Sequence, residues 1–406
     1  MKKQVSRRDF IKYAVVGVAA FAGGATAGRY LPGSRMVTYG TRHKLRITEA
    51  LVQMVDRTFV YHWLFEDMGQ LKPAPQFPGP LIQSVEGDEI SFAITNSLPE
   101  AHGFRIPGVP GEAGEGIVIG PGETRTIEFA APEGGSYMYH DHLNWPVNRV
   151  LGLHGPMVVL PREGNTPYSR PTPAVQKLFD DLGTAPHFPG EPWKPERTRI
   201  WLFSTVDPRF SEMAEGGERI DASQFTDEYL PRYFTINGLS GAYATHDHSI
   251  VPSGRIGQPH LIRIMDTGMT ADSPHIHGNH VYLLARRDAT GKHRVRENVL
   301  LVDTFTDEVA QCMDWLLPFI RPPDIPGDER VPLRELIPTE LSLTLGGVAQ
   351  SPLTYPMHGH NEQSQSAAGG NYPQGLVTMW EITGDVDGVD FPQSSHEEKG
   401  GPPEAH

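Results

Sequence analysis

Four times in this chain two histidines stand with one residue between them: His140 and His142, His246 and His248, His275 and His277, His358 and His360. On an extended strand alternate side chains share a face, so each His-x-His presents two imidazoles side by side as a chelating pair. Imidazole suits copper, zinc, nickel and iron, and clusters made only of imidazole fit copper well. A single pair on a strand needs no metal to explain it. Three pairs in strand-like surroundings point to a metal centre. The fourth, His246-Asp247-His248, follows Asn237-Gly238 in a glycine-rich stretch and reads as a solvated loop.

His140 and His142 end the run Gly135-Ser136-Tyr137-Met138-Tyr139-His140-Asp141-His142, which is followed by Gly152-Leu153-His154-Gly155-Pro156-Met157-Val158-Val159; His275 sits in Ser273-Pro274-His275-Ile276-His277-Gly278. These strings resemble the copper motifs of the multicopper oxidases, the two-domain laccases above all. Pro78-Gly79-Pro80-Leu81 with Glu86-Gly87-Asp88, Gly120-Pro121-Gly122-Glu123-Thr124, and Tyr233 to Gly238 extend the resemblance over about residues 45–162 and 198–385. It implies an all-β chain of two cupredoxin-like Greek-key β-sandwich domains with a copper cluster between a first and a second domain. In two-domain relatives those domains come from neighbouring subunits, so a homotrimer is implied as well.

Carried over residue by residue, the resemblance assigns His102, His140, His142, His277, His358 and His360 to a pair of type 3 coppers, and Glu100 with His275 to the type 2 position. Glu100 stands where the family has a histidine, in Glu100-Ala101-His102-Gly103, and is also the candidate catalytic carboxylate. The separate type 1 copper of the family has lost its ligands. Its cysteine is Gly359, one of its histidines is Asp272, and the other falls among Glu362, Gln363 and Ser364. Without thiolate and imidazoles no blue-copper site forms there. The expectation is an oxidoreductase holding two or three copper ions, where dioxygen and a small reductant, a phenol or a metal ion, meet the cluster directly. Two other readings stay open: a non-catalytic periplasmic copper-binding or scaffold protein, and a zinc or mixed-metal hydrolase using Glu100 as ligand or base.

The elements that must position these residues are short β-type runs. Ile90 to Ile94, Thr124 to Phe129 and Met157 to Leu160 mark a first block; Arg199 to Phe203, Leu261 to Ile264 and Val377 to Ile382 mark a second. At 406 residues, with Gly 43, Pro 37 and 38% hydrophobic residues, the chain suits two turn-rich β domains rather than disorder. Residues 45–162 and 198–385 are the expected domains. Residues 163–197 read as a linker or excursion, the Pro-rich stretch 307–345 as an inserted loop serving as lid or contact surface, and 386–406 as a disordered tail. His154 and His280 flank the motifs and read as supports for the ligands, while Asp141 is open between hydrogen bonding behind them and solvent exposure.

Ser6-Arg7-Arg8-Asp9-Phe10-Ile11-Lys12, an apolar stretch from Tyr13 to Ala22 and then Ala25-Thr26-Ala27 make residues 1–27 a twin-arginine export signal, with a retained membrane anchor as the alternative. The twin-arginine export machinery is then a partner, and the destination is periplasmic or otherwise exported. The formal charge of −14 excludes a nucleic-acid partner, since such a surface repels phosphate backbones. Cys312 is the sole cysteine, which leaves no intramolecular disulfide and reads as a buried or loop thiol.

Overall fold

The computed structural model describes residues 37–39, 41–323, 325, 327–336 and 352–392; residues 1–27, where an export signal is expected, lie outside them. Ten strands make the first sandwich: β1 Val37–Tyr39, β2 Arg42–Gln53, β3 Phe59–Asp67, β4 Leu81–Val85, β5 Glu89–Asn96, β6 His102–Phe104, β7 Ile117–Ile119, β8 Thr124–Ala130, β9 Gly135–His140 and β10 His154–Leu160. One sheet runs β1-β4-β10-β9, the other β3-β2-β5-β8, with β6 and β7 as a short hairpin ladder. Alternation decides the faces: along β5, Ile90, Phe92 and Ile94 are buried while Ser91, Ala93 and Thr95 are not. The buried set joins Leu45, Ile47, Phe65, Phe104, Tyr137, Tyr139 and Met157 in one core between the sheets.

The second sandwich follows: β11 Thr198–Val206, β12 Tyr233–Ile236, β13 Ser253–Arg255, β14 His260–Asp266, β15 Pro274–Ile276, β16 Val281–Arg287, β17 His293–Val302, β18 Cys312–Leu317, β19 Leu353–Gly359 and β20 Val377–Gly384. A six-stranded sheet runs β12-β11-β14-β18-β16-β17 and a four-stranded sheet β13-β20-β19-β15. Their core holds Trp201, Ile262, Ile264, Trp315 and Leu317 from the first sheet, and Ile276, Met357, Trp380 and Ile382 from the second.

The two sandwiches pack sheet against sheet. Leu81, Met138 and Val158 meet Ile200, Leu202, Met265 and Cys312 on the outer face of the six-stranded sheet. Two short helices, Pro208–Glu215 and Ala222–Glu228, lie between β11 and β12 and bring Phe210, Ala214, Ile220 and Phe225 against Tyr61, Val147, Val150 and Leu151 of the first sandwich. No described helix is long and apolar enough to cross a membrane.

Two segment readings are corrected and one is narrowed. Of linker and excursion, residues 163–197 are an excursion packed on the second sandwich. Thr172 caps the helix Pro173–Asp181, whose Val175, Leu178 and Phe179 recur at helical spacing. With Phe188 and Trp193 they cover Leu261, Leu284 and Leu316, the rest of that outer face. Burying an aliphatic or aromatic side chain of this size contributes about 1.5–3 kcal/mol, so the segment holds itself in place. Within 307–345, residues 312–317 are not loop but β18, a central strand buried along its whole length. A strand covered on both faces shows no alternation, which is why it escaped a reading by period. Residues 337–345 of that stretch lie outside the described residues. The assigned tail begins as packed chain: Phe391 is in the second core and its N–H donates to Thr383 O at 2.9 Å, while 393–406 lie outside the described residues.

Candidate metal centre

The first half of the centre gathers where β6 meets the end of β9. Arg105 and His140 exchange both backbone hydrogen bonds at 2.9 Å, which joins the chain just after β6 to the end of β9. Behind them stands Asp141, fully buried. One of its oxygens accepts from His102 Nδ1 and Asn148 Nδ2, each at 2.8 Å; the other accepts from the Gly103 and Leu143 N–H groups, also at 2.8 Å. The open question about Asp141 is thereby answered: it faces away from His140 and His142 and orients a histidine from the neighbouring strand. A carboxylate accepts only, so His102 donates through Nδ1, and Nε2 is the ring nitrogen left for a metal.

His140 is held in the same sense, its Nδ1 donating to Asp141 O at 3.0 Å. Burial pushes its pKa down to about 3, so the ring is the neutral imidazole that ligates metals. His142 is lowered too, again by desolvation first. Its ring fills the space left by Gly103 and Gly116: a Cβ on either would come within 2.6 Å of it. Its Nδ1 is buried and without a partner. Trp145, half exposed, lies 5.2 Å from the His140 ring.

The second half lies on the four-stranded sheet. His275 on β15 stands opposite His358 on β19, and His277 and His360 follow just beyond each strand. Ring centroids are 4.6 Å apart for His275 and His360 and 5.2 Å for His277 and His358. One ligand atom each from His275, His358 and His360 falls within 4.8 Å of the others, the one such group among the described residues. His275 Nδ1 is bonded to Thr304 Oγ1 at 2.6 Å, and His358 Nδ1 donates to Gly359 O at 3.1 Å. His277 Nε2 and His358 Nε2 lie 3.1 Å apart, so His277 donates here. Desolvation and the neighbouring imidazoles hold His275 and His277 below the ordinary histidine pKa. Clustered imidazoles, His275 and His358 among them tied back through Nδ1, are a donor set that fits copper.

Within one chain the described contacts leave the six expected type 3 ligands in two groups, one on each sandwich. No described hydrogen bond or ring contact joins His102, His140 or His142 to the second-sandwich histidines. The packing explains this. The first sandwich covers the outer face of the six-stranded sheet, and the histidines belong to the four-stranded sheet across the second core. Glu100 is exposed; its backbone carbonyl accepts from Asn96 Nδ2 at 2.6 Å, and its carboxylate makes no hydrogen bond among the described residues.

Around Gly359 the space is occupied. A Cβ there would sit 2.2 Å from Ser364 Oγ and 3.3 Å from Leu376 Cδ2, and Ser364, fully buried, donates to Asn361 O at 2.7 Å. Asp272 is buried near Asp266 and Asp307, and desolvation pushes the Asp272 and Asp307 carboxyls well above the usual range. His246 bonds locally to Ala242 O at 2.7 Å, in keeping with a loop, and His280 is exposed. His154 does not orient a ligand. It donates through Nδ1 to Arg149 O at 2.7 Å, and its Nε2 meets Ser204 and Thr267, both at 3.2 Å, across the junction of the sandwiches. Asn148, Thr304 and Trp380, whose Nε1 donates to His277 O at 2.7 Å, support the ligands without any signal in the sequence.

Residues 73–164 match the multicopper oxidase family. The chain is 36% identical over 101 residues to an L-ascorbate oxidase of Cucumis sativus and 35% over 99 residues to that of Nicotiana tabacum. Each stretch is 22% of this chain and 17% of the relative, so the chain aligns with only a small part of these proteins. Beyond that stretch the likeness is of fold: the blue copper oxidase from Nitrosomonas europaea superposes with a TM-score of 0.57 at 19% identity, covering 84% of this chain and 85% of that one. The chain thus carries a multicopper oxidase sequence match within its first sandwich, and over both sandwiches it shares the fold of a blue copper oxidase.

Proposed function

We propose that the protein is an exported copper-dependent oxidoreductase whose di- or trinuclear centre closes between copies of the chain, with a small reductant and dioxygen reacting there and no type 1 copper. The observation that carries this is the pairing of two half-sites, each with two imidazoles held from behind through Nδ1. His102, His140 and His142 of one copy with His277, His358 and His360 of another would hold a copper pair; His275, with or without Glu100, would hold a third ion. Copper in such a site supplies electron transfer to dioxygen. The chain's own work is to keep the His102 proton on the side of Asp141, to keep His140 dry and neutral, and to exclude side chains larger than glycine at positions 103 and 116.

Ser364 and Leu376 filling the space beside Gly359, and a buried carboxyl at Asp272, support a direct reaction at the cluster without a blue-copper relay. The separation of the halves supports a closed oligomer, a homotrimer as in two-domain relatives. The twin-arginine motif at residues 6–12 supports export to the periplasm. Protein exported in copper medium should carry two or three coppers per chain, lack intense blue colour, and take up dioxygen with a phenol or a reducing metal ion. Copper-free protein from copper-replete cells would sink the proposal; copper without dioxygen uptake would leave a binding protein instead.

A further inference from the structure

The two groups of histidines differ in what one chain can do with them. In the second sandwich the His277 N–H donates to Pro356 O at 3.0 Å and the His360 N–H to Ser273 O at 2.9 Å, so β15 and β19 stay zipped beyond their paired residues. The His360 ring stands nearly parallel to that of His358, 8° between planes and 5.5 Å between centroids, and His275 packs against them at 4.6 and 5.5 Å respectively. Ligand atoms from these three rings lie within 4.8 Å of one another, and among the described residues no second group does the same. His102, His140 and His142 therefore do not converge on one point within the chain.

Nitrogens about 2.1 Å from a single ion stand roughly 3–4 Å apart. Rotation about the last side-chain bond closes the spread to that, since this torsion is soft and solvent reaches all three residues. With Nδ1 of His275 and His358 tied back, Nε2 is the nitrogen each has left. His277 donates to His358 Nε2 at 3.1 Å, and a metal taking that nitrogen would free His277 for a further ion. Asp303, half exposed, places Oδ2 3.8 Å from His275 Nδ1 and supplies negative charge beside a dication. Magnesium and calcium prefer oxygen donors, whereas three imidazoles select copper or zinc.

We propose that His275, His358 and His360 of a single chain hold one copper or zinc ion by themselves, taken up before a second copy closes the larger centre. This single-ion site rests on the reading of these histidines as copper ligands, and it gives the centre an order of filling, second sandwich first. The first half is then the part that joins a metal already in place.

The test takes the full chain with its first half disabled by His142→Ala, strips it with a chelator, and titrates it with Cu2+, Zn2+ and Mg2+ by calorimetry. One Cu2+ or Zn2+ per chain is expected and no Mg2+, with couplings to three imidazoles in the pulsed paramagnetic spectrum of the copper form. His275→Ala or His360→Ala, at positions solvent reaches, should each weaken binding by more than the roughly 10–100-fold that a lost supporting group costs, and His277→Ala by less. The wild-type chain diluted to single copies gives the same reading should His142→Ala not fold. Absence of saturable binding in these samples, or binding that survives both His275→Ala and His360→Ala, overturns the proposal. Copper held by the associated wild type but by neither sample leaves the closed centre standing without its single-ion site; one ion per chain in every sample leaves the single-ion site without the closed centre.

Discussion

The two halves of the centre are built differently. In the first sandwich a buried carboxylate with four donors locks His102, and His140 is enclosed. In the second, His277 and His360 are exposed, and support comes from one hydroxyl, one carbonyl and the Trp380 N–H on the His277 backbone. The first half is preorganised before any metal arrives. The second has its rings in contact with one another and relies on what closes over it. Affinity and stability should therefore be more sensitive to changes behind the first half than behind the second.

The largest effect is expected at Asp141. Asp141→Ala strands two buried donors and the part-buried Leu143 N–H besides His102 and should destabilise the fold by about 3 kcal/mol or more, read from denaturant unfolding. Asp141→Asn keeps the shape but not the charge and should lower copper affinity about 10–100-fold. Thr304→Val behind His275 should lower it by less. Equal losses in the two variants would break the comparison.

Acid should reach both sandwiches through buried histidines away from the ligands. His62 in the first is pushed by burial down to about 4, and His260 in the second to about 3. The unfolded chain takes up these protons first, near pH 6.5, so stability is full above that and falls as pH drops toward the folded values. Each contributes a slope of up to about 1.4 kcal/mol per pH unit, checked by unfolding between pH 7 and 4.5. A flat profile would show that one of these rings is wet.

Gly359 gives a smaller and sharper probe. Gly359→Ala should cost about 1–3 kcal/mol by overpacking against Ser364, and the double variant with Ser364→Gly should recover most of it. An additive pair would mean that Ser364 does not fill that space. The smallest effect is at Cys312, whose thiol is pushed up to about 12 by burial in the junction. It should resist alkylation at pH 8 in folded protein and react once the chain is unfolded.

Local pattern carried much of this far. The His-x-His pairs were legible because the period of a strand is two and needs no partner to be read, and Ile90 to Ile94 alternated because one face of β5 meets a core. β18 was not legible. Cys312, Asp314 and Leu316 alternate with Met313, Trp315 and Leu317, but both sets are buried, one against the first sandwich and the 163–197 segment, the other in the second core. Asp314 looked like a loop residue because its partners Ser136, Tyr168 and Arg263 lie far away in sequence. The same distance hid Thr304 behind His275.

By itself, then, the sequence determined the β class and the side-by-side placing of paired imidazoles, since residue identity and strand period are local properties. The tertiary structure alone decided that the histidines form two separate halves, because that depends on which face of the six-stranded sheet the first sandwich covers. It also decided that Asp141 stands behind one half as its brace, a role set by where β6 and β9 meet.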